Sequence, residues 1–359
     1  MIGRVRPAVS GLASYRPGKA ASQAEEEHGI TGAIKLASNE NPWGPAPAVV
    51  AAIEQAAAGA NRYADHRATA LRQAIAEWID VSPEAVTIGC GSSGLLQQVM
   101  HTYVDPGDEV VFPWPSFEIY PVFCSTLDAV QVRTELVDYA FDLDAVAAAV
   151  TDRTKVVFLA TPNNPTGTAV SMSAVAGMLG RIPDDVIVVV DEAYREFNDP
   201  GLGDPVTDLL PAHRNVVVTR TFSKAYGLAG LRVGYAVADP EIVVELDKVL
   251  LAFSVSGPAQ AGALAAIEHR DEAMMRVSEL VAERERVVTT LRRSGWELPA
   301  ANGNFVFVPT GDRTGEINLA MEKQGVVVRP FSGLGIRVTI STPEENDRWM
   351  GALSEASGS

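Results

Sequence analysis

The feature that most constrains this chain is a repeated alternation of short β-branched runs with longer amphipathic ones. The runs are Ala85–Gly89, Glu109–Phe112, Val130–Leu136, Lys155–Ala160, Val186–Val190, Val216–Thr219 and Val233–Val237. Several of them are apolar on both faces, and Val186-Ile187-Val188-Val189-Val190 is apolar at every position. A strand with one wet face alternates polar and apolar residues, so unbroken apolar runs predict strands buried on both faces. The intervening amphipathic segments supply the covering helices, and the expected fold class is α/β with a mostly parallel seven-stranded sheet. Helices are predicted at about 46–58 and 69–79, then at Glu241–Leu250, Pro258–Glu268 and Asp271–Arg293. Strands at Phe305–Val308, Val326–Val328 and Ile336–Ile340, around one more helix, predict a smaller α+β unit. Residues 1–45 are rich in Gly, Pro, Ser and Ala and read as an extended arm joining that unit. The expected divisions are therefore an arm at 1–45, a large domain at 46–250 and a small one at 251–359.

Charge and cysteine usage narrow the function. Asp plus Glu outnumber Lys plus Arg by 45 to 29, a formal charge of −16 that would repel a nucleic-acid backbone. Any anionic ligand must then be held by a local site. The amino terminus lacks the apolar core of a signal peptide and no run approaches a membrane span, so a cytoplasmic protein is expected. Cys90 and Cys124 are the only cysteines, too few for a disulfide framework, and the five histidines show no ligand spacing, so no metal is expected.

The stretch Thr87-Ile88-Gly89-Cys90-Gly91-Ser92-Ser93-Gly94 contains G-x-G-x-x-G between a strand-like and a helix-like segment. Such a turn lets backbone N–H groups and a helix N-terminus hold a phosphate. A dinucleotide site would also place a carboxylate at the end of the following strand, but Glu109-Val110-Val111-Phe112 runs into Pro113-Trp114-Pro115. The motif reads as a phosphate cup without a ribose clamp, which argues against a nicotinamide cofactor.

Three other segments identify the phosphate. In Thr221-Phe222-Ser223-Lys224, a lysine follows a strand among hydroxyl residues, and Arg232 lies downstream in a glycine-rich stretch. The P-loop pattern is absent; a lysine so placed suits Schiff-base chemistry, with the hydroxyls and the arginine taking a phosphate. Asp191 ends the fully apolar strand, where open α/β sheets place ligands, and a buried carboxylate there can keep a pyridine nitrogen protonated. Asn164, in Thr161-Pro162-Asn163-Asn164-Pro165-Thr166-Gly167, could donate to a ring hydroxyl.

Taken together, Asn164-Pro165-Thr166-Gly167, Asp191-Glu192-Ala193-Tyr194 and Ser223-Lys224 with Arg232 resemble the fold-type I pyridoxal-phosphate (PLP) aminotransferases of class I/II. Asn39-Glu40-Asn41-Pro42, Asn61-Arg62-Tyr63 and Gly335-Ile336-Arg337-Val338-Thr339 look like the histidinol-phosphate aminotransferase branch. The resemblance runs through nearly the whole chain in the expected order. It implies pyridoxal 5′-phosphate bound covalently by Lys224, paired at its ring nitrogen by Asp191 and at its ring oxygen by Asn164 and Tyr194. It further implies a phosphate site of Ser92, Ser93, Thr221, Ser223 and Arg232, with Phe117 stacked on the ring. Tyr63 is similar to a tyrosine that reaches the phosphate of the neighbouring subunit, which implies a homodimer with shared sites. Arg337 is the candidate for the substrate carboxylate, followed by Arg329, with Asn39 and Tyr15 near the substrate.

Two departures shift the expected substrate. The residues after the cup glycine are Ser92-Ser93 where histidinol-phosphate enzymes usually carry acidic residues, and the stacking residue is Phe117 where tyrosine is usual. With Tyr194-Arg195-Glu196-Phe197 and Val328-Arg329-Pro330-Phe331, these features look more like the bacterial aromatic amino acid aminotransferases. The implied reaction is transamination of an aromatic L-amino acid with 2-oxoglutarate. Histidinol-phosphate transamination is the alternative, followed by a PLP-dependent decarboxylase of an amino-acid phosphate. A non-catalytic PLP-binding regulator would need a DNA-binding appendage, for which the chain shows no segment.

Overall fold

In a computed structural model, which describes residues 5–12 and 18–358, the apolar runs become the predicted sheet. In chain order the strands are β1 (Ile34–Lys35), β2 (Val86–Gly89), β3 (Glu109–Trp114), β4 (Val130–Val137), β5 (Ala140–Phe141), β6 (Thr154–Ala160) and β7 (Ile187–Asp191). They continue with β8 (Val216–Thr221), β9 (Gly234–Ala238), β10 (Phe305–Pro309), β11 (Val326–Val327), β12 (Arg329–Phe331) and β13 (Gly335–Thr339). The large sheet runs β2-β9-β8-β7-β6-β3-β4-β5. Its centre, β8-β7-β6-β3-β4, is parallel, while β9 is antiparallel to both neighbours. The eighth strand, absent from the sequence reading, is a two-residue edge strand that returns on β4 through Asp138 and Tyr139. Both turn residues have positive φ, as a tight two-residue hairpin requires.

Side-chain alternation shows why the central runs are apolar throughout. Val188 and Val190 of β7 join one core cluster with Val157, Leu159, Val216 and Val218. Ile187 and Val189 join the other, with Val156, Phe158 and Val217. Each face is thus dry, as parallel strands wrapped by helices must be. The predicted helices form at Pro47–Ala57, Thr69–Ile79, Pro240–Lys248, Gly257–Glu268 and Arg270–Arg293. Helix starts set by a side-chain cap followed by an early proline include three in which Asp239 accepts from the Glu241 amide, Ser256 from Ala259 and Thr342 from Glu345.

A second sheet, β10-β13-β12, is antiparallel, and β1 of the arm pairs in parallel with β11. Strand β12 was not predicted because Pro330 interrupts its run; its place at the sheet edge is where a proline is tolerated. The arm is not extended throughout, because Ala21–His28 forms a helix that ends at Gly29 in the left-handed conformation. Lys19 Nζ lies 2.6 Å from Glu27 and 2.8 Å from Glu322, fastening this segment to the helix Thr314–Lys323. Glu27, His28 and Glu322 gather ligand atoms within 4.8 Å of one another, a cluster that histidine spacing did not reveal, and the Lys19 ammonium already bridges its two carboxylates. No helix among the described residues is long and apolar enough to cross a membrane.

Candidate active site

The carboxyl ends of β3, β6, β7 and β8 converge on a cavity of about 200 Å³. Its walls carry Ser92, Ser93, Phe117, Asn164, Asp191, Tyr194, Thr221, Ser223, Lys224, Arg232, Arg329 and Arg337, so twelve of the predicted residues meet at one place. Asn39 adjoins them, its Nδ2 donating to the Tyr194 hydroxyl over 2.9 Å. Tyr63 does not line this cavity: it is 83% exposed and stacks on Phe253 at 4.4 Å. Tyr15 lies outside the described residues.

Gly91 opens the helix Gly91–Tyr103 with φ +69°, and Ser92 and Ser93 of the cavity wall occupy its first turn, where backbone N–H groups have no helical acceptor. Arg232 closes the cup, donating to Ser223 Oγ and to the Cys90 carbonyl, each over 3.4 Å. The Thr221 hydroxyl donates to Ser223 Oγ over 2.9 Å. Strand β9 is pressed against this turn at Gly234, where an added Cβ would lie 2.7 Å from the Ser92 nitrogen. Only glycine allows that approach. Helix dipole, hydroxyls and guanidinium together suit a phosphate.

Asp191 is in the same cavity wall, 2% exposed and with no ion pair among the described residues. Burial pushes its carboxyl up to about 6, while hydrogen bonds from Tyr120 (3.0 Å) and Thr219 (3.2 Å) oppose the rise. A carboxylate this dry calls for a cation, and a protonated pyridine nitrogen would supply one. Behind it, Arg220 donates to Glu192 over 2.8 Å and to Asp204 over 2.7 Å, and Arg195 reaches the same two carboxylates, tying the ends of β7 and β8 together.

Lys224 lines the same cavity. Burial lowers its ammonium to about 8, and the positive charge of Arg337 adds to the effect, with Glu40 opposing. Its Nζ donates to the Ser38 carbonyl over 3.2 Å, at the arm's entry to the cavity. Arg337 is 6% exposed, donates to the Ala37 carbonyl over 2.6 Å and to Asn164 Oδ1, and lies 5.6 Å over the Phe305 ring. Asn164 thus accepts from Arg337 through its oxygen, which leaves its Nδ2 end as the donor. Arg329 is paired with Glu118 at 2.7 Å.

The residue pattern missed Tyr120, Thr219, Ser38 and Glu118, whose roles arise from contacts across the sheet. Of these, Tyr120 had the clearest signal. It is a tyrosine at full burial in the run after Phe117, and a buried phenol needs a partner. The donor set fits a phosphorylated pyridine aldehyde throughout: a cup for the phosphate, a carboxylate for the ring nitrogen, and a deprotonatable amine in the same cavity.

Comparison with known proteins gives this geometry a family. The aminotransferase class I and II profile matches residues 31–353. An aromatic amino acid aminotransferase of Mycolicibacterium vanbaalenii is 46% identical over 98% of this chain and 97% of its own. One from Rhodococcus opacus is 48% identical over 98% and 95%. Among solved structures, histidinol-phosphate aminotransferase from Sinorhizobium meliloti in complex with pyridoxal 5′-phosphate superposes with a TM-score of 0.91 at 31% identity, covering 99% of this chain and 98% of that one. The chain belongs to the class I and II aminotransferases, with the fold-type I architecture.

Proposed function

We propose that the protein is a pyridoxal-phosphate aminotransferase that converts an aromatic L-amino acid to its 2-oxo acid, with 2-oxoglutarate as the amino acceptor. The observation that carries the substrate reading is likeness, at 46% and 48% identity over nearly the full chain, to proteins named aromatic amino acid aminotransferase. The S. meliloti structure keeps the histidinol-phosphate reading in view at lower identity, 31%. When bound, pyridoxal phosphate supplies an electron sink for the charge left on the substrate Cα.

The chain's own groups do the rest. Ser92, Ser93, Thr221, Ser223 and Arg232 hold the phosphate, Asp191 keeps the ring nitrogen protonated, Asn164 and Tyr194 bond the ring oxygen, and Phe117 covers one ring face. Arg337 orients the substrate carboxylate by its planar fork, with Arg329, Asn39 and Tyr15 around the side chain. Lys224 would hold the cofactor and, as a free amine, would carry the Cα proton. Tyr63, exposed and stacked on Phe253 away from this cavity, is assigned to the cavity of a second copy in a homodimer. The divisions at 1–45, 46–250 and 251–359 act as arm, large domain and small domain of a cytoplasmic enzyme.

Two results are expected. In a panel of donors with 2-oxoglutarate, phenylalanine, tyrosine or tryptophan gives a kcat/KM at least about tenfold above that of histidinol phosphate; the reverse order would refute the substrate reading. Uptake of pyridoxal phosphate by apoprotein should accelerate as pH rises through about 8, because above that value Lys224 is a free amine and below it a non-nucleophilic ammonium. An ordinary lysine would keep the rate climbing to near its usual value of 10.5.

A further inference from the structure

The two arginines on the cavity wall come from directly opposed positions of adjacent antiparallel strands, Arg329 of β12 and Arg337 of β13. Opposed residues share one face of a sheet and stand close together, where two like charges repel. Such a pair would also be a ready receptor for a dianion. The fold does not leave it so. Glu118, from the segment between Phe117 and the helix Ile119–Leu127, reaches across 211 positions of sequence to pair with Arg329 at 2.7 Å. Glu118 itself lines the cavity, half-buried with a side-chain exposure of 39%, while Arg329 is at 15%. Arg337 donates to neutral oxygens of Asn164 and Ala37.

We infer that Glu118 is a specificity-determining residue that cancels one of the two wall cations and so excludes amino donors carrying a phosphate dianion. The inference rests on the aminotransferase reading above and sharpens its substrate class. A carboxylate monoanion needs only Arg337, and an aromatic side chain can lie beside a neutralised Glu118–Arg329 pair without an uncompensated charge. A phosphate reaching the same wall would have to displace Glu118 from Arg329 and then sit beside a displaced anion. In a partly desolvated cavity each such contact costs far more than in water. Exclusion by a placed like charge is a general route to selectivity.

The test compares pyridoxal-phosphate-loaded wild type with Glu118→Gln, Glu118→Asp and the double variant Glu118→Gln/Arg329→Gln. The amino-donor half-reaction is followed by the cofactor spectrum, with phenylalanine and histidinol phosphate as probes and no acceptor present. Glu118→Gln should raise the histidinol phosphate to phenylalanine ratio of kcat/KM by about tenfold or more. Glu118→Asp, which keeps the charge, should hold the ratio near the wild-type value. Adding Arg329→Gln should erase the gain, since the gain is the release of that guanidinium. A Glu118→Gln ratio within about twofold of wild type, or a gain that survives loss of Arg329, overturns the inference. Wild-type enzyme inert toward phenylalanine would refute the substrate reading alone, because the change in histidinol phosphate rate between wild type and Glu118→Gln still reads the charge effect.

Discussion

Lys224→Ala is expected to lower turnover by on the order of 10⁴-fold or more and to abolish covalent retention of pyridoxal phosphate, while leaving the fold intact. The amine belongs to the only lysine among the described residues of the cavity wall, and its ammonium is brought down to about 8 by burial and then by Arg337. A group in that state serves both as nucleophile toward an aldehyde and as proton carrier near neutral pH, so one substitution removes two functions. Alanine takes away a single hydrogen bond, to the Ser38 carbonyl, and relieves a desolvated charge, so the folded state has little to lose. Non-covalent cofactor binding should persist through Arg232 and the cup. Retained turnover within about tenfold of wild type would mean that another group carries the proton.

Asp191→Asn is expected to cost roughly 10³-fold in kcat, because a neutral amide cannot hold a ring nitrogen in its cationic form. The substitution preserves size and an oxygen able to accept from Tyr120 or Thr219, so the loss isolates charge from shape. A pH signature accompanies it. In apoprotein the carboxyl is raised from 3.8 to about 6 by desolvation, so the folded state binds the proton more tightly than the unfolded chain. Apoprotein stability contributed by this group is therefore complete below 3.8 and is lost as pH rises through about 6. Bound cofactor restores a counter-charge, so the rise in Tm on adding pyridoxal phosphate should be larger above pH 6 than below it in wild type. The Asp191→Asn variant should lose that pH dependence. A rise independent of pH in both proteins would show that the carboxylate does not face the ring.

Much of the site could be read from sequence because it is written in local patterns. Asp191 closes a fully apolar strand and Lys224 follows a second, Val216–Thr221, and the ends of parallel strands are where such folds place ligands. Gly91 and Ser92-Ser93 announce a backbone cup because a glycine turn that opens a helix leaves its first N–H groups free for an anion. What the pattern could not carry are pairings between distant positions. Tyr120 and Asp191 are 71 residues apart, and Glu118 and Arg329 are 211 apart. Nothing in either segment names its partner, since the contact exists only once the sheet order β7-β6-β3 and the second sheet are in place. Elements went astray where local chemistry misled. Pro330 hid β12, whose edge position tolerates it, and the polar, glycine-flanked arm concealed the helix Ala21–His28, which has one buried residue, Ala24. Tyr63 was assigned from resemblance alone, and its exposed position leaves that assignment to a second copy of the chain.

The central claim is that the amine of Lys224 joins pyridoxal phosphate opposite the Asp191 carboxylate. Borohydride reduction of the loaded protein, followed by peptide mapping, tests it most directly, since reduction locks the cofactor to whichever amine holds it. The account predicts a pyridoxyl label on the peptide containing Ser223-Lys224, and none on those containing Lys19, Lys35, Lys155, Lys248 or Lys323. A label on any of those five, or a protein that takes none, would contradict it.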